Sequence, residues 1–129
     1  MKKVLGMLLI VSGVSISAYA YDQTDRVKDM QTMETAMATI QKGILYNNSK
    51  LVVEGVANLK KAASSVEVAP KSTMEFSGSF AKRKSDNIKK YAEKIEENIK
   101  SGHKHGAARH YTNVLGECIS CHNKIRKWN

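Results

Sequence analysis

Apolar side chains recur three or four positions apart in four separate stretches of this chain, the period of one face of an α-helix. From Asp22 to Asn47 the stripe is Val27, Met30, Met33, Met37, Ile40 and Ile44. Asp22 or Thr24 is placed to cap its start, and Asn47-Asn48 marks its end. A second stretch, about Ser49 to Val66, carries Val52, Val56, Leu59, Ala63 and Val66, and Pro70 forbids much continuation. Residues 67 to 79, with Pro70, Ser72, Ser77, Gly78 and Ser79, read as a connection. The third helix is predicted from around Phe80 to Ser101, with Ile88, Tyr91, Ile95 and Ile99 inward and Gly102 as its stop. Glu93, Glu96 and Glu97 alternate there with Lys89, Lys90, Lys94 and Lys100, a solvated face with four-apart ion pairs. The fourth runs from about His105 to Lys127, with Ala108, Tyr111, Leu115, Cys118, His122 and Ile125 on its inward stripe.

No alternating run rich in Val, Ile or Thr appears, and no Asn-Gly hairpin signal, so strands are not expected. Four amphipathic helices with short turns and one longer middle loop predict an all-α fold, an antiparallel four-helix bundle. Its apolar side chains are modest, with two Phe and one Trp in 129 residues.

The first twenty residues do not belong to that pattern. Lys2 and Lys3 form a positive start, Val4 to Val14 an apolar run, and Ala18-Tyr19-Ala20 a small-x-small cleavage site. Residues 1–20 thus read as a signal peptide cleaved before Tyr21, and residues 21–129 as one exported, periplasmic domain. An uncleaved anchor is disfavoured, because so short a run, rich in Gly and Ser, spans a bilayer poorly. Cleavage takes away two lysines and no acid, so the formal charge falls from +9 to +7. A moderately basic surface favours acidic partner proteins or an anionic membrane face, although scattered solvated lysines give the same balance. Nucleic acid is not an expected partner, since the chain is exported and no basic patch is interleaved with aromatics.

Chemistry enters with Cys118-Ile119-Ser120-Cys121-His122. Two thiols one helical turn apart can add to the two vinyl groups on one edge of a porphyrin, and the imidazole that follows can supply the proximal iron ligand. The spacing predicts a covalently attached c-type haem on Cys118 and Cys121, with His122 on the iron. A redox dithiol needs a βαβ setting that this chain lacks. A zinc site lacks its second cysteine pair. A disulfide across one turn closes too small a loop to stabilise much. Both cysteines lie in this one motif, so a covalently held cofactor, not a disulfide framework, is expected to support a small exported domain. A buried porphyrin would add several hundred square ångströms of apolar surface, at about 25 cal/mol per Å².

On two anchors the chain resembles the cytochrome c prime family, class II c-type cytochromes, including its low-spin branch. Cys118-x-x-Cys121-His122-x-x-x-Arg126 has the family's basic residue four positions after the ligand His. Arg26-x-x-x-Met30 is similar to the family's Arg followed four residues later by the residue facing the sixth iron position. Ile125 stands where an aromatic commonly precedes the Arg, Gly116 is two residues before the first Cys instead of three, and Phe76 and Phe80 only loosely echo the family's middle-loop aromatics. The resemblance implies periplasmic four-helix bundles with haem on the last helix, some of them homodimers. It implies Met30 as sixth ligand, with Met33 the next candidate and core filling the alternative role for these methionines. Arg26 would neutralise a haem propionate and Arg126 lie along the proximal face; each is otherwise a surface arginine.

Three functions are in competition. The first is single-electron transfer between larger redox proteins, with Met/His ligation raising the potential. The second is nitric oxide or carbon monoxide binding at an open sixth position. The third is copper binding by Met30, Met33, Met37 and histidines, since thioethers suit Cu(I). An enzyme is not expected, as no paired-carboxylate motif, nucleophile elbow or Gly-rich phosphate loop is present. His103, His105 and His110 read as solvated histidines near a helix start, with a surface metal site the lesser reading.

Overall fold

A computed structural model describes residues 22–66 and 78–125. Among them the chain forms four α-helices and no strand: α1 (Gln23–Leu45), α2 (Ser49–Ser65), α3 (Gly78–Lys100) and α4 (Lys104–Ile125). The predicted leader, most of the predicted connection with Pro70 and Phe76, and Arg126 lie outside the described residues. No described helix is long and apolar enough to cross a membrane.

Local chemistry sets most boundaries. Asp22, not Thr24, caps α1: its carboxylate accepts from the Asp25 backbone N–H while the Asp25 carboxylate accepts from that of Asp22. Asn47 turns the chain with φ +56°, a conformation Asn tolerates, and the Asn48 side chain caps α2 by accepting from the Leu51 N–H. Gly102, at φ +77°, ends α3 as its position predicts. One boundary differs. Gly78 and Ser79 belong to the first turn of α3 and not to the connection. A first turn places little demand on propensity, because its N–H groups have no intrahelical partners in any case.

The helices pack in ring order. α1 lies most extensively on α2, α3 on α4, and α2 on α3, while α1 touches α4 least. Small residues explain the two tight pairs. A Cβ built on Gly55 of α2 would stand 2.7 Å from Ile40 Cγ1 and 2.9 Å from the Ala36 carbonyl oxygen, and one on Gly43 of α1 would stand 2.6 Å from Val52 Cγ2. Between α3 and α4, a Cβ on Gly106 would run into the Asn98 side chain. Ile40, Val52, Val56, Leu59, Ile95 and Val114 are fully enclosed between these surfaces, each contributing about 1.5–3 kcal/mol. α2 and α3 are joined by the Ser85 hydroxyl, which donates to the buried Ala63 carbonyl, and by Lys60 and Glu93 at 2.7 Å. The carboxyl of Glu93 is held below its usual range by that lysine.

The expected stripes hold on α1, α2 and α3, with Met30, Ile44, Val66, Tyr91 and Ile99 only partly covered and Val27 exposed. On α4 the expectation fails in part. The buried residues are Ala107 and Val114, each one position before the predicted Ala108 and Leu115, which are exposed, as is His122. One residue is about 100° around a helix. α4 turns that adjacent face inward because its close neighbour is α3.

Gly55 and Gly116 should therefore respond oppositely to alanine. Gly55→Ala forces backbone apart at the α1–α2 seam, and its strain should outweigh the gain in helix propensity, for a net loss of about 1–2 kcal/mol. Gly116, with nothing within 4 Å of its Cβ position, should gain about 0.5–1 kcal/mol as Gly116→Ala. Urea midpoints at unchanged m-value are the measurement.

Candidate functional site

The side of α4 that meets α1 is marked by two hydrogen bonds. The Lys104 ammonium donates to Asn47 Oδ1, and Tyr111 Oη donates to Gln41 Oε1 at 3.4 Å. Leu115, Cys118 and His122 follow Tyr111 by four, seven and eleven residues, so they stay within about 40° of its line. His122 is also eighteen residues, five whole turns, beyond Lys104. The predicted stripe of α4 is thus the α1-facing side and not the core-facing one. Leu115 is 45 % exposed and the neighbouring Ile119 43 %, and Cys118 and Tyr111 are partly buried against the core.

On α1 the corresponding line runs back from Gln41. Met30 lies eleven residues earlier, within about 20° of it, and Val27 within about 40°. Asn47 lies in the turn just past α1, so between the two hydrogen bonds the numbers fall from that turn into α1 as they rise on α4. Carried on at that register, eleven residues from each partner reach Met30 on one helix and His122 on the other, about 16 Å along the bundle. Met30 is partly buried, and Val27 is 42 % exposed. Met33, by contrast, lies about 80° off the line and is a core residue at 6 % exposure, as is Met37 at 8 %.

The donor types that a c-type haem needs are present on these two helices: the thiols of Cys118 and Cys121 and the imidazole of His122 on α4, and the thioether of Met30 on α1. Both cysteines are free and half-buried. Burial pushes both thiols above their ordinary value; Cys121 and Glu117 add to the rise at Cys118, while the Lys84 charge opposes it at Cys121. Two clefts among the described residues, about 370 Å³ between α2 and α3 and about 210 Å³ along α3, include none of these donors. No group of three or more His, Cys, Asp or Glu among the described residues could hold a bare metal ion, so His103, His105 and His110 do not gather into one. His110 instead stacks on Tyr91, with centroids 6.1 Å apart.

The guanidinium of Arg26 is engaged locally, donating to Gln23 Oε1 from Nη2 at 2.9 Å and Nε at 3.3 Å. Sequence reasoning missed the pair Lys84 and Glu117, which joins α3 to α4 beside the motif: Nζ lies 2.8 Å from Oε2, and the side chains keep only 17 % and 15 % of their exposure. Neither residue is in a motif, and 33 positions separate them, so no local signal could have found it. Protein-family models, curated proteins and solved structures contain no match to this chain.

Two outcomes follow. Lys84→Met leaves the Glu117 carboxylate half-buried without its cation and should cost about 1–3 kcal/mol, most of it recovered in Lys84→Met/Glu117→Leu, as denaturant melts would show. In chain made without haem attachment, folding holds the thiol protons more tightly. The pH midpoint for iodoacetamide alkylation should therefore lie higher in buffer than in urea, and the stability that the thiols contribute should fade as pH rises through their raised values.

Proposed function

We propose that this chain is an exported c-type cytochrome of the cytochrome c prime kind, an antiparallel four-helix bundle that carries single electrons in the periplasm. Haem would be held through Cys118 and Cys121, with His122 and Met30 as the residues that would ligate its iron. What supports this reading is the Cys118-x-x-Cys121-His122 motif, together with a helical period that sets Cys118 and His122 of α4 and Met30 of α1 near the lines marked by the Tyr111–Gln41 hydrogen bond.

When bound, the haem supplies a ferric–ferrous couple whose potential Met/His ligation raises. The chain's own residues do the rest. Cys118 and Cys121 fix one edge of the macrocycle to α4, and their motif dictates that the imidazole follows immediately. Met30 of α1 would supply the sixth ligand, with Leu115 and Val27, both exposed without the cofactor, as apolar cover. Met33 and Met37 fill the core, which supports Met30 over Met33 as the sixth ligand and disfavours the copper reading. Basic side chains of the mature domain would steer acidic redox partners. A gas-binding function would require the sixth position to stay open.

Mature protein exported with haem-attachment machinery should gain the mass of one haem and show a low-spin spectrum in both oxidation states. His122→Ala should abolish that holoprotein or its low-spin spectrum. Met30→Leu should give a folded, five-coordinate, high-spin haem. A wild-type ferric spectrum that is already high-spin, or a low-spin spectrum kept in both oxidation states by Met30→Leu, would remove Met30 from the iron. An exported chain with two free thiols would end the haem reading.

A further inference from the structure

The opposite side of α4 carries a second feature. Phe80, in the first turn of α3, is ringed by three cations: the Arg83 guanidinium and the Lys84 ammonium each lie 5.5 Å from its centroid, and the Lys124 ammonium 5.3 Å. Two helices supply them, and the cluster sits on the α3–α4 seam. Lys84 is neutralised by Glu117. Arg83 and Lys124, both exposed, have no carboxylate within ion-pair distance among the described residues. The neighbouring Lys82 is occupied by Asp86 at 2.6 Å. Like charges gathered over one ring repel, and the face of the ring offsets only part of that. A carboxylate from outside would relieve the remainder.

The place matters as much as the charge. On α4, Glu117, Cys121 and Lys124 fall within about 60° of one another, on the side turned to α3. The cluster therefore adjoins the Cys121 end of the attachment motif, while His122 and Leu115 look toward α1. An aromatic ring with an arginine beside it is also the composition of energetic centres in protein interfaces. A lipid-binding surface would instead spread its lysines along a helix with an apolar face to insert.

From this the geometry points to Phe80, Arg83 and Lys124 as a docking surface for a carboxylate-rich partner protein, seated at the Cys121 edge of α4. This deepens the electron-carrier reading by naming the partner's chemistry and its point of contact. An electron could then enter or leave at the thioether edge without crossing the α1–α4 seam.

The probe is a decaglutamate peptide titrated into ¹⁵N-labelled mature protein. Amide shifts should concentrate on residues 79–84 and 121–124 and weaken about tenfold as salt rises from roughly 20 to 200 mM. Arg83→Glu/Lys124→Glu should weaken binding by roughly tenfold. Lys61→Glu/Lys90→Glu, the same change of net charge at other exposed lysines, should weaken it less than about twofold. Circular dichroism checks folding, and the milder Lys124→Gln serves if the double variant does not fold. Shifts spread evenly over the lysines, or equal losses in the two double variants, would overturn the site. So would absent peptide shifts combined with Arg83- and Lys124-dependent binding to phosphatidylglycerol vesicles, which would assign the patch to a membrane. A second readout needs the cofactor: ferricyanide should oxidise the reduced Arg83→Glu/Lys124→Glu protein several-fold more slowly than wild type, and a cationic cobalt phenanthroline complex faster. Equal rates for the two proteins would count against electron exit here. If no haem is attached, only the rate comparison is lost, so failure of the cofactor reading is told apart from failure of the docking surface.

Discussion

The close approach of helices at glycine and alanine governs this structure. Gly43 and Gly55 let α1 and α2 meet backbone to side chain, and Gly106 and the buried Ala92 and Ala107 do similar work between α3 and α4. Two tight pairs result, and the α2–α3 contact joins them. The fourth side of the ring, between α1 and α4, is left with the least contact. Helices can approach more closely than the usual 8–10 Å axis separation only where side chains are small. The distribution of small residues therefore decides which seam stays loose.

That asymmetry gives the cysteine motif its setting. α4 spends its most enclosed positions, Ala107 and Val114, on the packed side, and by the helical period Leu115, Cys118 and His122 follow the line of Tyr111, which hydrogen-bonds Gln41 of α1. A large flat cofactor needs two helices that bring donors to one level without already filling the space between them with side chains. In the proposed reading, the seam that the fold stabilises least is the one that the porphyrin completes. A haem tied to α4 would stabilise the folded state through packing and axial contacts that only the folded chain offers, since its thioether links would persist in the unfolded one.

Charge is arranged on a different side. The half-buried Lys84–Glu117 pair ties α3 to α4 next to Cys118 and Cys121, and Phe80 gathers the remaining cations just beyond it. The proposed ligand chemistry and the charge cluster can lie on different sides of α4 because the motif spans more than a full helical turn. Cys121 and His122, adjacent in sequence, look in directions about 100° apart.

Much of this was legible in the chain itself. The 3.6-residue period located four helices, Asp22 was one of two caps offered for the first, Asn47-Asn48 marked its end, and Gly102 marked the stop of the third, because these features depend on residues only a few positions apart. The two thiols and the imidazole on which the proposed haem depends were equally plain as residue types, since Cys118, Cys121 and His122 are neighbours in sequence. Which of two adjacent faces of α4 is buried was not legible. Ala107 with Val114 and Ala108 with Leu115 are both acceptable apolar pairs, and the choice fell to the first only because α3 lies close and α1 does not. The start of α3 at Gly78, the Lys84–Glu117 pair and the cations around Phe80 belong to the same category. Each depends on how near two helices come, a distance set by small side chains on another part of the chain, and no local pattern encodes it.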